Sequence, residues 1–322
     1  MQARYFVQLL MLSALWGASF ILTRVAAPQL GPNVSAALRM VLATIVLGVI
    51  MRALKHPWPW RHWRELFFIG FLAVAGPHAL YSWSALHLPG GYGALLSVTA
   101  VLFGAFASAL LKEEALTRGK LAGCLLGLVG AALVVHLGPV EPTATLVFSA
   151  LVCMGAAALS GTATPFLKRA TSRMEPLSIT AGMHAAAVVM LLPGAVHDLP
   201  QAHFTLTAVA AVTVLGVATS GLAYWMFMRI IQHVPPMASM TANFMSTGFG
   251  VLWSVLLLDE PTSLAMAAGG GLIIVACLLV SNLNPLRALS ERFLSGLNYS
   301  QQTPIATRPG CSGKLQQAWP SA

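Results

Sequence analysis

The sequence predicts an all-α membrane protein: ten transmembrane helices arranged as two inverted five-helix repeats. Composition, the spacing of apolar runs and the placement of basic residues carry this expectation. Of 322 residues, 57% are hydrophobic and 8% charged, with a mean hydropathy of +0.77. A soluble domain holds about 25% charged residues, so a bilayer is the solvent this chain fits. The formal net charge of +9 does not point to nucleic acid, because the basic residues form short clusters between apolar runs instead of one patch.

A helix needs about 20 mostly apolar residues to cross a bilayer. Ten runs approach that length: 5–27, 33–51, 65–87, 90–111, 118–137, 145–167, 177–196, 205–231, 236–258 and 264–282. The first run is longer than the roughly 7–15 residues of a signal-peptide core, so a retained span is expected. Ser, Gln, Pro and Arg dominate after Asn284, which predicts a disordered tail. With the N-terminus cytoplasmic, 16 of the 18 basic residues fall in cytoplasmic segments, and Arg24 and Arg39 lie within predicted helices. This bias predicts an inner-membrane protein with both termini cytoplasmic. Three of the four cysteines (Cys124, Cys153 and Cys277) lie inside apolar runs, where cysteine behaves as a small hydrophobe.

Two stretches with the same cadence reveal the repeat. EEALTRGKLAGC (113–124) and DEPTSLAMAAGG (259–270) align Glu114 with Glu260 and Gly123 with Gly269 at an offset of 146. Gly104 with Gly250 and Pro89 with Pro235 keep that offset; Pro32 with Pro176 and Gly17 with Gly161 give 144. The predicted units are a first repeat at 1–138, a second at 145–284 and a cytoplasmic tail at 285–322. Five helices per unit turn the second copy upside down. The Glu114 loop keeps Arg118 and Lys120 on the basic side, while the Glu260 loop has no basic residue. Each glutamate precedes a helix start, where Thr117 or Thr262 can cap and the carboxylate can meet the helix dipole.

The residues LWGASFILTRVA in the first run, the Pro32-to-Arg39 segment opening the second, and the E-A-L-T…G and E-P-T…G repeats resemble the EamA-type members of the drug/metabolite transporter superfamily. The resemblance spans about 5–284. It implies ten-helix, inverted-repeat carriers of small metabolites, often exporters of amino acids or drugs. Helices 4 and 9 in that family often carry a mid-helix proline; SVTAVLFG and FMSTGFGV have none. Arg39 matches the family arginine, but its repeat partner is Met183, so the halves differ chemically.

Polar side chains inside a span are costly and are the default functional candidates, and inverted repeats place substrate near the midplane. One face of the first helix carries Trp16, Ser19 and Thr23, which suit either a packing stripe or a cavity wall. His78 and Tyr81 lie one turn apart, and their counterparts Tyr224 and Phe227 would face them across the pseudo-twofold axis. Asn243 and Thr247 share a face with Met240 and Gly250. His184 stands isolated, as a bonded structural histidine would. Arg39 lacks a nearby carboxylate in sequence. Helix-end carbonyls, the outer surface, Glu141, Asp198 or a substrate carboxylate could meet it. The candidate cavity is Trp16, Arg39, His78, Tyr81, Tyr224 and Asn243, with Ser19, Thr23, His184 and Thr247 behind them.

No span carries a central Asp or Glu, and no metal, cofactor or catalytic motif appears, which argues against an intramembrane enzyme. The expected function is a secondary carrier of an amino acid or related amphipathic metabolite, working by alternating access, with export implied by the resemblance. A nucleotide-sugar, drug or lipid carrier, and a receptor without transport, are the other readings. The expected partners are a small-molecule substrate and the bilayer, with no nucleic acid; nothing in the pattern selects between monomer and dimer.

Overall fold

The computed structural model describes residues 3–88, 90–134, 143–258 and 264–280. All the regular structure among them is helical: α1 (Ala3–Leu30), α2 (Pro32–Ala53), α3 (Trp63–Gly70), α4 (Gly76–Ser84), α5 (Gly90–Val98), α6 (Ala100–Leu110), α7 (Arg118–Val134), α8 (Ala144–Ala170), α9 (Pro176–Asp198), α10 (Leu206–Val214), α11 (Ala223–Ile231), α12 (Pro236–Leu258) and α13 (Leu264–Val280). Prolines at the first positions of α2, α9 and α12 start those helices where no N–H partner is needed. Thr143 and Thr205 cap α8 and α10 through the amides of Leu146 and Ala208.

Two π-helical segments, Phe71–Ala75 and Leu215–Leu222, join α3 to α4 and α10 to α11, making continuous rods over Trp60–Ser84 and Leu206–Ile231. Six described helices are long and apolar enough to cross a membrane: these two rods, Arg4–Leu30, Pro32–Ala53, Ala144–Ala170 and Pro176–Gln201. Leu95–Leu110 and Ala268–Val280 are shorter apolar helices. The fourth predicted run is not one helix. A turn at Thr99 separates α5 from α6, and the Thr99 hydroxyl bonds the Leu96 carbonyl at 2.6 Å.

The main helix pairings link the two halves of the chain. α7 packs on α13, α2 on α9, α1 on α12 and α6 on α8. Exchanging the halves maps the first two pairs onto themselves and the last two onto each other. Glycines permit these approaches. A Cβ on Gly17 would lie 2.8 Å from the Gly250 amide nitrogen, and one on its counterpart Gly161 would lie 2.9 Å from the Gly104 nitrogen. Small residues thus form two equivalent contacts between the halves.

One end of the bundle is tied by charge. Lys168, near the end of α8, donates to the carbonyls of Ile231, Gln232 and Val234 at 2.7, 2.9 and 3.1 Å. Arg169 pairs with Glu113 and bonds the Leu111 carbonyl at 2.8 Å. Glu114 pairs with Lys120 at 2.7 Å and accepts from the Met237 amide at 2.9 Å. Its carboxylate therefore meets both the Lys120 side chain of the following helix and the amide at the start of α12 in the other half; the sequence suggested only the following helix. Thr117 does cap that following helix, at the Lys120 amide. Glu260 and Thr262 lie outside the described residues.

Candidate functional site

The site is built on the two π segments. A π turn closes i→i+5 bonds in place of i→i+4, and such turns often mark functional positions. Here their polar atoms serve side chains from elsewhere. Trp16 Nε1 donates to the Thr219 carbonyl at 3.2 Å, and Tyr224 Oη donates to the Ala73 carbonyl at 3.2 Å. Ala73 and Thr219 are counterparts at the 146 offset, so an aromatic from each half reaches the equivalent carbonyl in the other. The approach of α2 and α9 follows the same symmetry. A Cβ on Gly216 would lie 2.9 Å from the Arg39 carbonyl oxygen, and one on Gly70 would lie 2.8 Å from that of Met183.

The guanidinium breaks the symmetry. Arg39 donates from Nε to Ser220 Oγ at 2.5 Å and from Nη2 to Thr219 Oγ1 at 3.0 Å. Both acceptors are neutral hydroxyls inside the second π segment, and sequence reading missed them; the signal was a Thr-Ser pair within an apolar run. Asp198, offered as a partner for Arg39, instead accepts from Asn33 at 2.7 Å and contacts His197 at 2.8 Å. Glu141 lies outside the described residues. No ion pair to Arg39 is formed among the described residues, and its side chain is half-buried.

An aromatic and imidazole cluster surrounds this cation. Tyr224 packs against Trp16, Phe227 and His184 with ring centroids 5.9, 5.7 and 5.3 Å apart. Arg39 lies within electrostatic reach of Tyr224, His78 and His184. His78 Nδ1 and His184 Nδ1 sit 2.7 and 2.8 Å from the carbonyls of Val74 and Thr180, one turn back. A carbonyl accepts only, so each Nδ1 carries the proton and each neutral Nε2 presents a lone pair. His184 is fully buried, and its Nε2 has no hydrogen-bond partner among the described residues. His184 is thus hydrogen-bonded at Nδ1 through the Thr180 carbonyl.

Other candidates do not join the cluster through described contacts. Tyr81 lies beside Ser160 on α8. Asn243 donates to the Met240 carbonyl at 3.3 Å, and Thr247 to the Asn243 carbonyl at 3.2 Å, so both serve α12 itself. Ser19 and Thr23 bond the carbonyls of Trp16 and Ser19. Thr23 also lines a cleft of about 360 Å³ with Arg24, Ala27, Pro28 and residues 85–88. This cleft lies at the C-terminal ends of α1 and α4, on the helix face that leads through Ser19 to Trp16.

A family model described as the EamA-like transporter family matches residues 4–136 and again 147–282. Protein PecM of Dickeya dadantii is 26% identical over 84% of this chain and 89% of its own length. A probable terminal-alkyne amino-acid exporter of Streptantibioticus cattleyicolor is 25% identical over 83% and 89%. An S-adenosylmethionine/S-adenosylhomocysteine transporter of Chlamydia trachomatis is 26% identical over 83% and 85%. One solved crystal structure matches with a TM-score of 0.75 at 20% identity, over 88% of this chain and 99% of the other, which establishes likeness of fold.

Proposed function

Since the chain belongs to the EamA-like transporter family and is a multi-pass membrane protein that transports a small molecule, we propose that it is a secondary carrier of amino-acid-type zwitterions, working by alternating access. The observation that carries this is Arg39, a half-buried cation held by two hydroxyls and by no carboxylate among the described residues. Arginine matches a carboxylate bidentately, and two of its five N–H donors are already engaged. The Nε2 lone pair of His184 suits the ammonium of the same molecule, and the Trp16, Tyr224 and Phe227 rings suit an apolar side chain. To reach His184, the ligand displaces the Tyr224 ring packed against it.

Two relatives add support. The amino-acid exporter and the S-adenosylmethionine/S-adenosylhomocysteine transporter carry cargoes that all bear an α-amino carboxylate. A nucleotide sugar would call for more than this one cation. The charge-tied end and the cleft at the other end fit one stage of an alternating-access cycle. Because the tied end holds the basic clusters, we place it in the cytoplasm of a bacterium, with the cleft facing outward and export as the direction.

The test is counterflow of labelled amino acids and their desamino analogues in proteoliposomes, with the parent and Arg39→Ala. Amino-acid accumulation in the parent, lost in Arg39→Ala while the protein remains folded, is the expected result. Equal accumulation in both would return Arg39 to a structural role.

A further inference from the structure

We propose that Arg24 is the latch that closes the cleft, by capping the carbonyls of Ala85, Leu86 and Leu88 at the end of α4. The inference rests on the alternating-access reading above and adds the residue that completes the second state. Its basis is the tied end of the bundle. There the Lys168 ammonium spends its three N–H donors on the carbonyls of Ile231, Gln232 and Val234. Those carbonyls end α11, where the helix dipole favours a cation.

Every part of this clasp has a counterpart at the cleft. Arg24 corresponds to Lys168 at the offset of 144 that aligns Gly17 with Gly161 and Pro32 with Pro176. Ala85, Leu86 and Leu88 correspond to Ile231, Gln232 and Val234 at the offset of 146. The sequence His-Leu-Pro at 87–89 repeats as His-Val-Pro at 233–235. The two helix ends also fold alike. His87 and Leu88 amides donate to the Ser84 carbonyl at 3.0 and 2.8 Å, and His233 and Val234 amides to the Ile230 carbonyl at 2.9 and 3.1 Å. In one half the cation is bound to its carbonyls. In the other, Arg24 is exposed and lines the same cleft as residues 85–88.

Exchanging the conformations of the two halves brings Arg24 onto α4 and releases Lys168 from α11. The carbonyl at the end of each helix is then served in one state only. The two cations compete through the rocking of the halves and bias it in opposite directions.

The experiment uses the full chain in lipid nanodiscs, with Cys311→Ser and spin labels at Val25→Cys and Leu86→Cys, two exposed positions beside the cleft. Pulsed dipolar spectroscopy reads the distance between them. The parent is expected to show a long and a short population. Arg24→Ala should shrink the short one about tenfold or more, as for a lost hydrogen bond to a charged group. Arg24→Lys should retain it, and Lys168→Ala should enlarge it. A short population that survives Arg24→Ala, or that falls equally in Arg24→Lys, overturns the assignment and leaves alternating access standing. A single long distance in the parent and in Lys168→Ala overturns both.

Discussion

Arg39 is a charge within the helical bundle that meets hydroxyls and no carboxylate among the described residues. Its hydroxyl partners satisfy two donors but cancel no charge, so desolvation is offset only in part. Hydrogen bonds to charged groups contribute about 1.5–3 kcal/mol each. Ser220→Ala with Thr219→Val should therefore raise the transport KM about tenfold or more while the chain still folds. Fluorescence-detected size exclusion, run beside counterflow, separates the two effects. At His184 the expected outcome concerns selectivity. His184→Leu removes the acceptor for an ammonium, so preference for an amino acid over its desamino analogue should fall by about 10- to 100-fold. An unchanged preference would assign His184 to packing alone.

The elements that matter most are the two π segments, and each depends on a glycine, Gly216 within the second and Gly70 just before the first. Gly216 lets the second segment approach the Arg39 backbone, and Gly70 lets the first approach that of Met183. Adding a methyl at either contact should cost about 1–3 kcal/mol of stability. Only Gly216→Ala should also weaken substrate affinity, because only that contact carries a guanidinium. Thermal melts of the pair, set against their KM values, check this split. Hydropathy could not reveal the segments, since an apolar run reads the same whether its bonds span four residues or five. It could place Trp16, Ser19 and Thr23 on one face by their spacing. It could not say that Trp16 reaches Thr219, because no spacing rule spans two helices. Tyr224 and His78 were legible as counterparts at an offset of 146. Their attachments differ: His78 bonds the Val74 carbonyl one turn back in its own rod, whereas the reach of Tyr224 to the Ala73 carbonyl belongs to the three-dimensional approach of the halves.

At the scale of the molecule, internal periodicity was the most informative signal. The motifs at Glu114 and Glu260 and the paired glycines imply the helix pairings that are found, while the count of crossings rests on rods of uneven length. Thr99 divides one predicted span, for instance, and no proline announced it. The charge-tied end makes a whole-molecule prediction. Ala170 is fully buried there, next to Arg169. Ala170→Cys should resist a membrane-impermeant maleimide, and adding Arg169→Ala should raise its labelling rate several-fold by breaking the contacts to Glu113 and Leu111. An unchanged rate would mean that Lys168 and Glu114 hold this end unaided.

The π segments also bear on ancestry. Each is a helix with a surplus residue in one turn, and the surplus falls at matching places in the two halves, around Ala73 and Thr219. A single insertion in a shared unit, made before that unit was doubled, would account for both. The carbonyls that Trp16 and Tyr224 now grip were then available before the copies diverged. The arginine of one half and the methionine of the other mark the place where the two copies differ most in chemistry.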